Sequence, residues 1–439
     1  MEEQLNIKLY SQFKSKKQKS KKQTKQQLPI RKSLRISKMQ QQQQQHQPPP
    51  IDKSIINTHN GLKNFGFNCF INTGLQCLKF CKSLREAIAE NHQRDEEFIY
   101  KLVDDLSKLS PEEKQRIDLK KIDALNVFII FKRIMIDLHK SSGTVNPGDL
   151  ILACRKYSAH IGMEHLFNGQ QCDIQEFVIF ILDCIHEIKG RPLEITVADK
   201  PIITLEDKIK LDGFLAFKRY FEKNYSWIIK SFYNLLITMI KCSKCHYTSF
   251  SYDPNNVLCL PIPGEKIDTT ITSTTTTILT LYDCLEHYFG KEVLVGSAIW
   301  KCDKCGQRED NFKEYRMLDT PDVLIISLKR FTAAPNMRSW RKNTQLIDIP
   351  TILNIAPYKI GKDKVNCNYR LFGVANHTGS LEHGHYYAFC CDLEDPEYPW
   401  YNLNDERVGK ISEASIITEA AYMLFYQMIP SSPGVSGIV

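Results

Sequence analysis

A cysteine and a histidine far apart in this sequence have the side-chain types that thiol catalysis requires. Cys69 lies where a polar, glycine-containing loop gives way to an apolar periodic segment. A helix start stabilises a thiolate, because its first amides lack internal acceptors and the helix dipole is positive there. His385 follows a glycine just before a strand pattern, so it can face a cleft and take the thiol proton. The pair therefore indicates nucleophilic catalysis by a cysteine.

Three polar residues are candidates to complete such a site. Asn404 and Asp405 end the next strand pattern after His385, and either one can fix the tautomer of the imidazole. Asn64, in the loop before Cys69, can present its amide to a developing oxyanion. The residues alone do not choose between Asn404 and Asp405. They also leave the alternative that the cysteine is a small buried apolar residue and the histidine is structural.

Two Cys-x-x-Cys pairs supply a second kind of site. Cys242 and Cys245 form the first pair, and Cys302 and Cys305 form the second. Four thiolates make a tetrahedral set that suits a closed structural Zn²⁺ site, and a turn is expected after each pair. The alternative is four unligated thiols. The threonine-rich run at 268–277, between the pairs, predicts a flexible surface loop.

Helical patterns dominate the first half of the chain. Apolar residues recur after Cys69 at steps of three and four, which predicts a helix with one buried face. These residues are Ile71, Leu75, Leu78, Cys81, Leu84 and Ile88. Residues 84–189 are also mainly helical in pattern, with a break at 146–149 where Pro147 can start a new helix.

A second helix pattern, within residues 170–187, begins with three polar side chains. Gln171, Asp173 and Glu176 are concentrated at its start, and an apolar face follows. Carboxylates at a helix start are stabilised by capping and by the dipole, which explains them without any ligand. The functional alternative is an acidic wall that receives a basic peptide.

The last third of the chain changes to strand patterns. The segment 332–344 is predicted to be a loop. The strand candidates are 323–331, 371–375, 386–390, 400–403 and 421–428. His385 precedes the third of these and Asn404 follows the fourth, so adjacent antiparallel strands would bring them together.

The net charge of +8 is a local property of the N-terminal tail. Residues 1–60 hold 13 Lys and Arg against 3 Asp and Glu, whereas the remaining chain holds 45 against 47. The tail is too poor in apolar residues to become ordered by itself. Its basic clusters fit either a nuclear localisation signal or a solvated tail with no targeting role. The near-neutral body is not expected to bind nucleic acid, apart from non-specific contacts by the tail.

Cysteine usage and hydropathy predict a cellular compartment. The 15 cysteines have irregular spacing, and the N-terminus lacks the pattern of a secretory signal. No apolar run approaches the roughly 18 residues that a membrane span requires. We therefore expect reduced thiols in an intracellular protein that is nuclear, cytoplasmic or both and has no membrane partner.

Taken together, the motifs resemble the ubiquitin-specific protease family of papain-like deubiquitinating enzymes. The resemblance covers residues 61 to about 428, nearly all of the chain outside the tail. It rests on a cysteine segment, a glutamine–aspartate segment, both cysteine pairs, two strand segments and a histidine segment. In this sequence they are Gly61–Gln76, Gln171–Phe177, Cys242–Cys245, Cys302–Cys305, Leu260–Pro263, Val323–Phe331, His377–Tyr386 and Trp400–Tyr426.

The resemblance implies a fold and a reaction. The fold is α+β and papain-like, with a helical thumb, a β-rich palm and zinc-ribbon fingers that grip ubiquitin. The reaction is hydrolysis of the (iso)peptide or thioester bond after ubiquitin's terminal glycine, with Cys69 as nucleophile. His385, rather than His377 or His383, matches the general base and acid.

The remaining roles also come from the resemblance. Asn404 matches the residue that orients the imidazole, Asp405 an adjacent residue that assists, and Asn64 the oxyanion donor. Other positions match residues near the basic, Gly-Gly-ending tail of bound ubiquitin, and these are Gln171, Asp173, Glu176 and Tyr386. Segments 332–344 and 378–384 match blocking loops that move when ubiquitin binds. The implied cofactor is one structural Zn²⁺ on the four cysteines, with none for catalysis.

The implied organisation is a tail at 1–60, a catalytic domain at 61–430 with fingers around 242–305, and a short tail at 431–439. The sequence departs from the family at a few positions, which are Phe67, Asn68, Phe70, Gly74 and Cys172. None of these departures removes a group that the reaction needs. The alternative function is a catalytically weak ubiquitin-binding scaffold with the same fold.

Overall fold

The computed structural model describes residues 59–90, 119–139, 143–194, 202, 204–264, 278–308, 310–333, 340–361, 366–380 and 383–430. All of them lie in one compact unit, His46–Val439. The predicted tail 1–60 lies outside the described residues except at its last two positions. The threonine-rich run 268–277, the stretch 91–118 of the predicted helical region and the tail 431–439 also lie outside them.

Helices form most of the first half of the described chain. They are α1 (Cys69–Lys79), α2 (Lys82–Glu90), α3 (Leu119–Asp137), α4 (Gly148–Ile161), α5 (Ile174–Lys189), α6 (Leu205–Phe221) and α7 (Trp227–Phe232). The apolar repeat after Cys69 is divided between α1 and α2, because the chain turns at Phe80 and Cys81. α4 begins directly after Pro147 and α5 directly after Asp173, as their capping patterns predict.

Strands form most of the second half. The first two are β1 (Gly61–Leu62) and β2 (Thr144–Val145), which pair in parallel near the start of α1. The next are β3 (Asn234–Cys242), β4 (Thr248–Asn255), β5 (Leu258–Leu260), β6 (Leu279–Thr280), β7 (Glu292–Leu294), β8 (Asn311–Asp319) and β9 (Val323–Leu328). The last are β10 (Phe331–Ala333), β11 (Trp340–Lys342), β12 (Ile347–Asp348), β13 (Ile352–Asn354), β14 (Asn368–Gly379), β15 (Gly384–Cys391), β16 (Trp400–Asn404), β17 (Arg407–Ile411) and β18 (Ala421–Met428).

Two sheets organise these strands. The larger has eight strands in the order β17-β16-β15-β14-β18-β9-β5, with β13 paired to β14. The smaller has four strands in the order β4-β3-β8-β7. Helix α8 (Leu281–Phe289) precedes β7. The five predicted strands fall in β9, β14, β15, β16 and β18. The predicted loop at 332–344 is wrong at its ends, because β10 and β11 pair there as an antiparallel hairpin.

Helix α1 is buried along its whole length between β15 and α5. A Cβ on Gly74 would lie 2.7 Å from the Phe177 ring of α5, closer than real Cβ atoms approach. Phe70 meets the same ring edge-on, with centroids 6.1 Å apart. Glycine at 74 therefore permits the close approach of the two helices, which fixes where α1 begins.

The fold is α+β, as predicted, with helices preceding and packing on a largely antiparallel sheet. Within the part of the chain that the structure describes, no helix is both long enough and apolar enough to cross a bilayer.

Candidate active site

Cys69 is the first residue of α1 and is 1% exposed. Burial, together with the negative charge of Asp405, raises the pKa of its thiol to about 12. Main-chain hydrogen bonds from Tyr386, Phe70 and Cys69 itself act in the opposite direction. The thiol is therefore protonated in the free protein at neutral pH, and a base must take its proton before it can attack.

His385 lies at the start of β15, next to the Tyr386 amide that bonds the cysteine sulfur. Strands β15 and β16 are antiparallel, and their register places Asn404 beside the imidazole. The Nε2 atom of His385 lies 2.7 Å from Oδ1 of Asn404. Because that oxygen can only accept, Nε2 carries the ring proton and Nδ1 keeps the lone pair.

The Nδ1 atom of His385 is buried and has no hydrogen-bond partner within the described residues. A buried nitrogen that bears a lone pair is costly unless another group uses it. The amide of the next residue, Tyr386, hydrogen-bonds the sulfur of Cys69. The arrangement leaves Nδ1 as the atom that can accept the thiol proton.

Asp405 follows Asn404 in the two-residue turn between β16 and β17, with φ of 51°. Aspartate tolerates this left-handed conformation better than most residues. Burial raises the pKa of its carboxyl group, whereas the charge of His385 and hydrogen bonds from Asn72 and Asn64 oppose that rise. One of its oxygens, Oδ2, lies 3.8 Å from Nε2 of His385. The carboxylate can thus stabilise an imidazolium at His385 through its charge.

Asn64 is held by hydrogen bonds at both ends of its side chain. Its Oδ1 accepts from the Gly66 amide at 2.7 Å, which fixes the orientation of the group. Its Nδ2 donates one hydrogen to Oδ2 of Asp405 at 2.7 Å. A side-chain amide has two hydrogens, so the second is available for an oxyanion. The oxyanion role of Asn64 stays a prediction.

The start of α5 contains the predicted acidic wall, and Asp173 is its most buried member. Asp173 caps the helix by accepting from the Gln175 amide at 2.7 Å, and it also accepts from the Tyr422 hydroxyl at 2.6 Å. Burial raises the pKa of Asp173, and these two hydrogen bonds oppose the rise. Both of its oxygens therefore have structural partners, so capping explains the residue without a ligand.

The other predicted ubiquitin contacts differ in their surroundings. Gln171 accepts from the Gly384 amide at 3.0 Å, which ties the loop before α5 to the start of β15. Glu176 is exposed and bonds Nε2 of His165 at 2.8 Å. Tyr386 is 6% exposed. Glu176 is thus the one exposed side chain of these three, although its carboxylate already pairs with His165, and the predicted contacts stay predictions.

A lysine that sequence reasoning missed joins two segments beside this site. Lys342, on β11, donates to Nδ1 of His377 at 2.9 Å and to the main-chain oxygens of His377 and Gly379 at 2.6 and 3.2 Å. Burial, together with the charge of Lys342, lowers the pKa of His377 to about 3. His377 therefore stays neutral and serves to fasten the end of β14 to the β10–β11 hairpin.

Two buried asparagines were also missed. Asn68 and Asn72, at the start of α1, hydrogen-bond each other at 3.0 Å, and Asn72 donates to Oδ1 of Asp405 at 2.8 Å. Asp405 is 333 positions from Asn72 in the sequence, so no local pattern reveals this contact. One sequence signal does point to these residues. Asn68 and Asn72 are side-chain amides four positions apart at a helix start, so they lie on the same face and can contact each other.

The two Cys-x-x-Cys pairs, which we call the knuckles, converge at the end of the smaller sheet. Their four cysteines are Cys242, Cys245, Cys302 and Cys305. Their sulfur atoms lie within 4.8 Å of one another, with Cys242 and Cys305 at 3.8 Å and Cys245 and Cys302 at 3.6 Å. Tetrahedral Zn–S bonds of about 2.3 Å require sulfur separations of about 3.8 Å. The donor set therefore fits a metal ion such as Zn²⁺.

Each knuckle has the same main-chain turn. The first has a hydrogen bond from the His246 amide to the Cys242 oxygen, and the second has one from the Gly306 amide to the Cys302 oxygen. His246 and Gly306 both have positive φ, at 56° and 70°. The predicted turns lie where the sequence placed them.

The α+β fold is that of the papain-like cysteine proteases, and within it the His385–Asn404 hydrogen bond lies on the strand whose Tyr386 amide bonds the Cys69 sulfur. The sequence profile of the ubiquitin carboxyl-terminal hydrolase family matches residues 60–426. The chain belongs to that family, and the resemblance to ubiquitin-specific proteases is confirmed.

Two curated relatives show the extent of the similarity. The chain is 28% identical over 377 residues to ubiquitin carboxyl-terminal hydrolase Usp2 of Drosophila melanogaster, which covers 84% of this chain and 34% of the relative. It is 28% identical over 397 residues to human ubiquitin carboxyl-terminal hydrolase 21, which covers 85% of this chain and 62% of the relative. The chain thus spans less than two thirds of the length of both.

A solved structure shares the fold. The SAGA Ubp8/Sgf11/Sus1/Sgf73 DUB module bound to ubiquitin aldehyde aligns with a TM-score of 0.59 and 23% identity. The alignment covers 92% of this chain and 76% of the other.

Proposed function

We propose that this protein is a cysteine-type deubiquitinase that hydrolyses the bond after the C-terminal glycine of ubiquitin. The observation that carries the proposal is the His385–Asn404 hydrogen bond of 2.7 Å, on the strand whose next amide bonds the Cys69 sulfur. The family supplies the substrate class, since the relatives described above are ubiquitin carboxyl-terminal hydrolases.

In the proposed reaction, Nδ1 of His385 takes the thiol proton and the Cys69 sulfur attacks the glycine carbonyl carbon. The second amide hydrogen of Asn64 and main-chain amides near Cys69 hold the oxyanion, and one such donor contributes about 3–4 kcal/mol in comparable sites. His385 returns the proton to the departing amine, which leaves a thioester on Cys69. Water, deprotonated by His385, then hydrolyses the thioester and restores the thiol.

Ubiquitin's tail is basic and ends in two glycines, which suits a narrow acidic cleft. Glu176 is the exposed carboxylate at the start of α5 and can receive an arginine of that tail. Both carboxylate oxygens of Asp173 already accept hydrogen bonds within the protein. Asp173 would therefore act on the ubiquitin tail through its negative charge. A cleft that admits only glycine beside the reacting carbonyl rejects other peptides, because their side chains would clash with its walls.

The four knuckle cysteines would hold one structural Zn²⁺, and no cofactor would take part in the reaction. Bound zinc would keep the ends of β3 and β8 together, because Cys242 ends β3 and Cys302 precedes β8. Ubiquitinated proteins are the expected partners. The protein is proposed to act in the nucleus, the cytoplasm or both, with residues 1–60 as a basic tail outside the catalytic domain at 61–430.

The test is hydrolysis of a fluorogenic ubiquitin C-terminal amide by the wild type and by Cys69→Ala and His385→Ala. Turnover by the wild type and its loss in both variants support the proposal. Circular dichroism of each variant controls for folding. A wild type that binds ubiquitin and releases no fluorophore contradicts it.

One observation favours the second candidate, a ubiquitin-binding scaffold with weak turnover. Cys69 is 1% exposed, and burial holds its thiol in the protonated form. A ubiquitin probe with an electrophilic C-terminus separates the two functions. A covalent adduct at Cys69 supports the enzyme, whereas binding without an adduct supports the scaffold.

A further inference from the structure

Asn72 is a buried polar residue inside the helix that begins with the nucleophile. It lies three positions after Cys69, close to one turn of helix further on, and is 2% exposed. Its Oδ1 accepts from Nδ2 of Asn68 at 3.0 Å. Its own Nδ2 donates to Oδ1 of Asp405 at 2.8 Å and to the Lys63 oxygen at 3.2 Å.

These contacts join two parts of the site that are remote in sequence. On one side, Asn72 reaches Asp405 in the β16–β17 turn, which directly follows Asn404. On the other side, Asn72 and Asn68 hold the Lys63 main chain, and Asn68 accepts from the Phe65 amide at 2.7 Å. Asn64 lies between those two held residues.

Asp405 completes a closed set of hydrogen bonds. Its Oδ1 accepts from Asn72 and its Oδ2 accepts from Asn64, at 2.8 and 2.7 Å. Loss of the Asn72 donor would leave one carboxylate oxygen buried without its partner, which is costly for a charged group. The same loss would free the carboxylate to rotate, and the Nδ2 of Asn64 would lose the acceptor that holds it on that side.

We propose that Asn72 is a positioning residue for the thiol reaction. It acts through Asp405, and it keeps the Asn64 amide and the His385–Asn404 pair correctly placed relative to the Cys69 sulfur. This inference rests on the proposed function for its reaction, and it assigns to Asn72 no contact with substrate. A residue with this role changes the rate of the chemical step and leaves ubiquitin binding unchanged.

A double-mutant cycle tests the proposal on the full chain. Asn72→Ala and Asp405→Ala are made alone and together, and kcat and KM are measured with a fluorogenic ubiquitin amide, under single-turnover conditions for slow variants. We expect Asn72→Ala to lower kcat about ten-fold or more, with KM unchanged. In the Asp405→Ala background we expect less than about a two-fold further loss, because the carboxylate that accepts from Asn72 is already gone. Independent, multiplying losses overturn the proposal.

Gln76 provides the matched control. It lies on the same helix, is also 2% exposed, and donates to the Asn60 main-chain oxygen at 2.9 Å. Gln76→Ala removes a buried amide of the same kind without touching Asp405, so its effect on kcat should be equal in both backgrounds. If Asn72→Ala does not fold, as judged by thermal melting, Asn72→Ser replaces it in the cycle, because its shorter side chain withdraws the donor from Asp405 and keeps a small polar group in the helix.

A second readout keeps the two proposals separate. If the wild type does not hydrolyse the ubiquitin amide, the proposed function fails. The same cycle is then followed by alkylation of Cys69 with iodoacetamide, with mass spectrometry of the Cys69 peptide. Coupling between the two substitutions in the alkylation rate supports the role of Asn72, and additive effects overturn it.

Discussion

Replacing Gly61 with alanine is expected to disable the site by moving the turn that directly follows Asn404 and contains Asp405. A Cβ on Gly61 would lie 2.5 Å from the Glu406 oxygen and 2.6 Å from the Asp405 oxygen, whereas ordinary contacts begin at 3.4 Å. These atoms belong to the main chain, so no side-chain rotation relieves the contact. The β1 strand and the turn must therefore separate by about 1 Å, and overpacking of this kind costs about 1–3 kcal/mol of folding free energy.

The same displacement has a larger effect on catalysis. The turn is fastened to β1 by a hydrogen bond from the Leu62 amide to the Asp405 oxygen at 2.7 Å. A shift of about 1 Å in a catalytic group can lower the rate about a hundred-fold. We expect kcat on a fluorogenic ubiquitin amide to fall by about that factor in Gly61→Ala.

Gly290→Ala is the matched control. A Cβ there would lie 2.7 Å from the Glu286 main-chain oxygen at the end of α8, so the steric conflict is similar. The residue is outside the candidate site. Both variants should lose comparable thermal stability, and only Gly61→Ala should lose most of its kcat. Equal kcat values for Gly61→Ala and the wild type would refute the reasoning, as would equal losses in both variants.

Three further predictions concern other parts of the protein. Removal of metal with a chelator should release about one zinc per chain, measured by elemental analysis, and should expose amides of β3 and β8 to hydrogen exchange; purified protein without zinc contradicts this. Tyr422→Phe removes a donor to Asp173, whose folded pKa is already raised, so the penalty for its charged form grows. The variant should lose about 1.5–3 kcal/mol of unfolding free energy near pH 7 and less near pH ~3, below the unfolded pKa of an aspartate, where the carboxyl group is largely protonated in both states; an equal loss at both pH values argues against it. Lys342→Met removes the ammonium group that hydrogen-bonds His377 and Gly379, so the amides at the end of β14 should exchange with solvent faster. Unchanged hydrogen exchange there would show that Lys342 does not hold this end of the strand.

Much of the fold follows from local patterns. Asp173 before an apolar helical repeat marks the start of α5, and paired cysteines followed by a turn mark each knuckle. The strand patterns on either side of His385 and Asn404 place the two residues on adjacent antiparallel strands. In each case the signal and the structure lie within about twenty residues of each other.

The parts that were missed depend on contacts over long sequence distances. The division of the first helical repeat at Phe80 and Cys81 reflects packing against the sheet, which apolar spacing does not encode. The Asn72–Asp405 hydrogen bond joins residues 333 positions apart. Lys342 lies in a segment that was predicted as loop, and its partner is 35 positions away. Only the folded sheet shows that these side chains meet.

The contact between Gly74 and Phe177 has a consequence for ligand design. It brings the helix that begins with Cys69 close to the helix that begins after Asp173, because a Cβ at 74 would lie 2.7 Å from the Phe177 ring. A bulkier residue at 74 would push the two helices apart and lengthen the span from the sulfur to the carboxylates. A covalent inhibitor that reaches from one to the other would then fit less well, although the substituted residue lies behind the site.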